Sequence, residues 1–189
     1  MKIFRMLFIL ALSLSFSVAS AQTEFHGEAA YGLKGNVKKV KLKTKSRLQY
    51  LPKSASFTRD GKIARSLINY DEAGYPIGHT LSGTKDFVSL EIRYNQDKMP
   101  ETIVLVDGMR NPPLQSEFHN YYSSSGQLEK TVFSTPTRSD FSITLYYSDY
   151  KYDSEGNWIE RTVDLEKKVG ENVETDRLTE TRKIEYYTN

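Results

Sequence analysis

Acid–base or metal chemistry in this chain would have to come from three histidines, His26, His79 and His119, and from 24 carboxylates. The histidines share no metal-ligand spacing, and there is no cysteine to complete a zinc set. Ser82-Gly83-Thr84-Lys85 has the S-x-x-K spacing of penicillin-recognising enzymes, but no S-D-N or K-T-G element accompanies it and the segment lacks helical character. Glycoside hydrolysis needs two carboxylates facing each other across a bond, and linear order does not say which two would do so. Turn acids such as Asp71 and Asp153 bring few oxygens each, where calcium takes roughly six to eight. The expectation is a non-enzymatic protein with no catalytic residue, metal or cofactor.

Aromatic and basic residues remain as ligand contacts. Tyr121-Tyr122, Tyr146-Tyr147 and Tyr186-Tyr187 are consecutive pairs whose members point to opposite faces of a strand, leaving one of each available on a single-layer sheet. Tyr121, Tyr147 and Trp158 are the aromatic candidates. Lys34, Lys38, Lys39, Lys41, Lys43, Lys45 and Arg47 form a block with no acid among them. Val40 and Leu42 alternate with Lys39, Lys41 and Lys43, the pattern of an edge strand guarded by lysines against sheet-to-sheet association. The same three lysines are also candidate contacts for an acidic glycan or an anionic lipid headgroup. From Asp149 onward the chain has eleven acids against seven bases, so the basic strand is expected at a sheet edge or beside these acidic strands.

One spacing dictates the elements that hold these residues. An aromatic residue, three turn-type residues and usually a glycine recur five times: Phe57 to Gly61, Tyr70 to Gly74, Tyr94 to Lys98, Tyr122 to Gly126 and Tyr152 to Gly156. Asp, Asn and Ser at the first turn position can bond the backbone two residues on, and glycine readily takes the left-handed conformation. Together they specify a type I turn followed by a bulge glycine, a favoured hairpin connection. The aromatic residue then sits opposite the residue six places on, pairing Phe57/Ile63, Tyr70/Pro76, Tyr94/Pro100, Tyr122/Leu128 and Tyr152/Trp158. Alternation predicts strands over 87–95, 115–122, 127–133, 141–152, 158–165 and 177–187. Within 141–152, Phe141, Ile143, Leu145 and Tyr147 share one parity while Tyr150 and Tyr152 share the other, and a bulge or break near Ser148-Asp149 would reconcile them. The architecture implied is all-β: an antiparallel meander of about ten strands, curled or folded over its apolar face, with no helix beyond the first residues.

Tyr70-Asp71-Glu72-Ala73-Gly74 and Tyr152-Asp153-Ser154-Glu155-Gly156-Asn157-Trp158 resemble the YD-repeat, or RHS-like, family. Gly32-Leu33-Lys34-Gly35-Asn36-Val37 and Ile184-Glu185-Tyr186-Tyr187 look like the ends of small exported YD-repeat proteins of Bacteroidetes, and the likeness covers most of residues 32–187. The turn aromatics here lie 13, 24, 28 and 30 residues apart, longer and less even than in large RHS shells, and Lys98 breaks the glycine rule. The resemblance implies an extracytoplasmic β-meander and brings no catalytic residue.

Residues 1–21 have the layout of a signal peptide: Lys2 and Arg5, an apolar run from Met6 to Val18, and the small-residue ending Ala19-Ser20-Ala21. A mature chain from Gln22 would be one domain, 22–189, with no transmembrane anchor, placed in the periplasm or secreted. Of 26 Lys and Arg, two fall in that segment and none of the 24 acids does, leaving formal neutrality. Nucleic acid is therefore not an expected partner. The expected role is a binding or structural module of the cell envelope whose ligand is a glycan or another exported protein; an accessory of an RHS-type toxin or secretion system is the alternative, and an enzyme on envelope polymers ranks below both.

Overall fold

A computed structural model of the chain describes residues 24–44, 53–64, 68–80, 88–108 and 111–188. The signal-like segment, Ser82 to Lys85, Lys45 and Arg47 lie outside the described residues. The strands are β1 (Val37–Lys43), β2 (Ser54–Ser56), β3 (Ile68–Tyr70), β4 (Pro76–Thr80), β5 (Val88–Tyr94), β6 (Pro100–Asp107), β7 (Leu114–Tyr122), β8 (Leu128–Ser134), β9 (Phe141–Tyr152), β10 (Trp158–Val169) and β11 (Asn172–Tyr186). They form one antiparallel sheet in the order β2-β1-β11-β10-β9-β8-β7-β6-β5-β4-β3. From β3 to β11 this is an uninterrupted meander, and β1 returns to lie against its last strand.

The sheet is not closed into a barrel, but it curls. Its two edges, β2 and β3, are consecutive in the chain, and Ile63 N, just after β2, donates to the Tyr70 hydroxyl of β3 at 2.8 Å. Curling gives the sheet an inner face that buries Val40, Phe57, Ile92, Ile103, Phe118, Ile143, Leu145, Val163 and Leu178. The core lies there in three clusters along the strands.

Turn chemistry sets the register. All five aromatic residues stand opposite the residue six places on. Each fifth residue has positive φ: Gly61, Gly74, Lys98, Gly126 and Gly156 at 83°, 86°, 60°, 79° and 78°. The side chains of Thr58, Asp71, Asn95, Ser123 and Asp153 each accept from the backbone N–H four residues on, at 2.8 to 3.1 Å. Asp153 also reaches the N–H two residues on. Of the bulge or break expected near Ser148-Asp149, β9 carries the bulge: Thr162 faces Ser148 while Glu160 faces Lys151, and Asp149 has φ 50°. That extra residue brings Tyr150 and Tyr152 to the inner face with Leu145 and Tyr147.

The paired residues share a face throughout, but one pair is not buried on both sides. Trp158 is 8 % exposed and Tyr152 48 %. Tyr152 stands where the inner face opens to solvent.

A segment ahead of β1 crosses the end of the sheet at which the turns lie. Phe25 N donates to Asp60 O at 2.8 Å, Gly27 N to Gly61 O at 2.9 Å and His26 N to Gly74 O at 2.9 Å. A short 3₁₀ turn, Gly27–Tyr31, then dips inward, burying Ala30 against Ile92, Ile103 and Phe118. At the fifth turn, Asn157 is almost fully buried and clamps Lys34, accepting from its N–H at 2.7 Å and donating to its carbonyl at 2.8 Å. Asn157 Nδ2 also donates to the Tyr186 hydroxyl, which donates to Asp153 Oδ2 at 2.5 Å. Burial, reinforced by the hydrogen bond to Asp153, pushes Tyr186 up to about 12, so its hydroxyl stays a donor at neutral pH.

The basic strand lies beside the acidic C-terminal strand, one of its two expected places, and the structure corrects its reading as an edge strand. β1 is not an edge strand: β2 covers it from Lys39 to Lys41 on one side, and β11, from the acidic end of the chain, pairs with it on the other. Guarding an open edge is therefore not what its lysines do.

Candidate functional site

The curled sheet and the crossing segment together line a half-open cavity of about 640 Å³, within the range of small-molecule sites. Its aromatic wall is built by β9 and β10. Tyr147, Tyr150 and Tyr152 reach it from either side of the β9 bulge, and Trp158 enters it from the first position of β10. Tyr150 stacks on Tyr152 at 5.8 Å between centroids and meets Trp158 edge-on at 6.3 Å.

Behind these rings lies a buried ion pair. Arg161 Nε and Nη2 both donate to Glu180 Oε2, at 2.9 and 2.7 Å, and the two side chains are 9 % and 7 % exposed. The Arg161 guanidinium lies 3.8 Å from the Tyr147 ring centroid and 4.1 Å from that of Trp158, and Nη1 donates to the Tyr150 hydroxyl at 3.3 Å. Burial opposes the charge on Arg161, yet Tyr147, Glu180 and Tyr150 outweigh it and hold its pKa above the ordinary value. Arg182 lies 3.7 Å from the Trp158 centroid and donates to Tyr31 O at 2.8 Å, joining the aromatic wall to the crossing segment. The arrangement offers rings for stacking, with their spacing fixed by charge-assisted hydrogen bonds.

Across the cavity stand His26 and Glu28, with Nδ1 and Oε1 3.7 Å apart. His26 also stacks on Tyr75 at 4.5 Å. Burial pushes the Glu28 carboxyl up. The third and fourth turn units contribute Lys98 and Gly126 to the lining, and the Lys98 ammonium lies 5.2 Å from the Tyr75 centroid.

Of the residues singled out from sequence, Tyr147 and Trp158 therefore meet in one site. Tyr121 does not join them: it is 48 % exposed on the outer face, with Lys130 4.2 Å from its ring centroid. Lys39, Lys41 and Lys43 are exposed on β1. His119 pairs with Glu117 at 3.1 Å, away from the cavity. His79 lies in β4, and its side chain is outside the described set. Among the described residues no three His, Asp or Glu side chains converge on a common metal position, and no helix is long and apolar enough to cross a membrane.

Sequence reasoning passed over Arg161, Glu180, Arg182 and Tyr150. Alternation in β11 was the available signal, since Leu178, Glu180 and Arg182 share a parity with a core residue. Compared with known protein families, with curated proteins and with solved structures, the chain matches none.

Proposed function

We propose that this protein is an exported, non-enzymatic binding module of the cell envelope, of the small YD-repeat kind, which takes a glycan into its cavity. The observation that carries the reading is the cavity wall, in which the half-exposed Tyr152 stacks with Tyr150 beside Tyr147, and the buried Trp158, packed against the Arg161 and Arg182 guanidinium groups, backs them. Sugars offer apolar C–H faces that stack on such rings, and their hydroxyls suit the polar groups between them.

Trp158 is the chain's single tryptophan, so its emission reports directly on the site. Titrating the mature protein with oligosaccharides released from bacterial envelope polymers is expected to shift that emission saturably. Tyr152→Ala, which removes a half-exposed ring, is expected to weaken binding about tenfold with little loss of stability. An emission spectrum unmoved by every envelope glycan and by a panel of exported proteins would refute the reading.

A second reading rests on His26 and Glu28, a histidine with a carboxylate neighbour at the cavity wall, which is the arrangement an acid–base enzyme would use. It requires that a bound glycan be cleaved over hours and that Glu28→Gln abolish the cleavage. Intact ligand recovered from the wild-type protein removes it.

A further inference from the structure

We propose a second binding site, on the outer face of the sheet, where Lys39, Lys41 and Lys43 of β1 and Lys183 of β11 form a ladder that holds a linear acidic polysaccharide. Since β2 covers the strand from Lys39 to Lys41 and β11 is an inner strand, edge protection does not account for Lys39, Lys41 and Lys183. All four are exposed. Across the β1–β11 pair Lys41 stands directly opposite Lys183. Like charges in that position destabilise a sheet.

The rest of this sheet does the opposite. Arg177 of β11 lies 2.8 Å from the Asp164 carboxylate of β10, Lys167 lies 2.8 Å from Glu174, and Lys151 of β9 lies 2.6 Å from Glu160. Among the described residues, none of the ion pairs includes Lys39, Lys41, Lys43 or Lys183. At the ladder Lys39 stands opposite Glu185 without forming an ion pair, while Lys41 and Lys183 face each other and Lys43 faces Thr181. Three of its four cations thus have no acid opposite them, and their partner is an anion from outside the chain.

Chemistry selects the kind of anion. Alternate strand residues are about 6.6 Å apart, so Lys39, Lys41 and Lys43 extend along roughly 13 Å and need several evenly spaced negative charges. The hydroxyl residues Ser54, Ser56 and Thr181 stand opposite Lys41, Lys39 and Lys43, suited to sugar hydroxyls. Docking on a lipid surface favours apolar or aromatic side chains that insert, and the exposed large hydrophobic residues, Ile77, Tyr121, Tyr146, Tyr152 and Val173, all lie outside β1 and β2. Single-stranded nucleic acid calls for stacking rings beside the cations.

The test uses the full mature chain and polygalacturonate as the probe. Wild-type protein is expected to bind it at low ionic strength and to release it as salt rises. Replacing Lys39, Lys41 and Lys183 by Gln is expected to lower affinity at least tenfold, while Arg at the same three positions retains it. Lys183→Glu separates the site from simple misfolding: it gives Lys41 an opposite charge, so it should raise Tm by roughly 1–3 °C while weakening polysaccharide binding. Tyr152→Ala should leave the interaction unchanged, so failure of this site and failure of the cavity reading are told apart. No binding by the wild-type protein, binding that survives the Gln variant, or stronger retention on phosphatidylglycerol vesicles or DNA each overturns the proposal.

Discussion

Gly61→Ala is expected to destabilise the protein by about 3–5 kcal/mol, whereas the same change at Gly156 is expected to cost about 1–2 kcal/mol. Both residues hold the left-handed conformation, at φ 83° and 78°, so both variants incur backbone strain. The difference lies in what surrounds them. A Cβ on Gly61 would sit 1.6 Å from Phe25 O, whereas one on Gly156 meets nothing within 4 Å. Alanine at position 61 therefore displaces the crossing segment, with its hydrogen bonds from Phe25 N and Gly27 N and the edge-on packing of Phe25 on Tyr70. Gly74 is in the same situation, since its Cβ would lie 2.1 Å from Glu24 O. Urea denaturation of the Gly61, Gly74, Gly126 and Gly156 alanine variants should divide them into two costly and two milder substitutions. Equal costs at all four would mean that the segment contributes nothing to holding the first two turns.

Lys98 fits this division. It occupies the third turn at φ 60°, a unit the crossing segment does not bond, and its side chain extends over Tyr75. A non-glycine residue is tolerated there because only the conformational strain has to be met. Lys98→Gly is expected to relieve part of that strain while removing the cation from the cavity lining.

Register and turn geometry were legible in the sequence because they are local. A Thr, Asp, Asn or Ser beside an aromatic residue, with a left-handed residue three positions on, closes a hairpin whatever surrounds it, and the pairing of Tyr152 with Trp158 follows. The β9 bulge was legible for the same reason, since a change of parity within one strand has few other outcomes. The place of β1 was not legible. Its alternation of Lys with Val and Leu specifies a strand with one wet face, and this holds equally for an edge and for a strand one place in; only its coverage by the short β2 decides between them. The cavity was half legible. Tyr147 and Trp158 advertise themselves as aromatic, but Arg161 and Glu180 lie on different strands, 19 residues apart, and charged residues there read as solvent-facing until the curl of the sheet buries both.

Glu180→Ala is expected to cost about 3–5 kcal/mol, because it leaves the buried Arg161 guanidinium without its carboxylate. The penalty arises from stranding a charge, so it overstates what the pair itself contributes. Replacing both residues by apolar ones, Arg161→Met with Glu180→Leu, removes the stranded charge and is expected to recover most of the lost stability. What the double variant does not recover is the spacing of the rings. In the native wall the guanidinium lies between Tyr147 and Trp158 and bonds the Tyr150 hydroxyl, and a methionine has no N–H to fix either distance. The expected result is a double variant close to wild type in urea denaturation, with altered Trp158 emission and glycan affinity reduced about tenfold or more. If instead the double variant bound glycan as the wild type does, the pair would serve stability alone. If Glu180→Ala cost less than about 1 kcal/mol, water would have to reach the Arg161 guanidinium in place of the lost carboxylate.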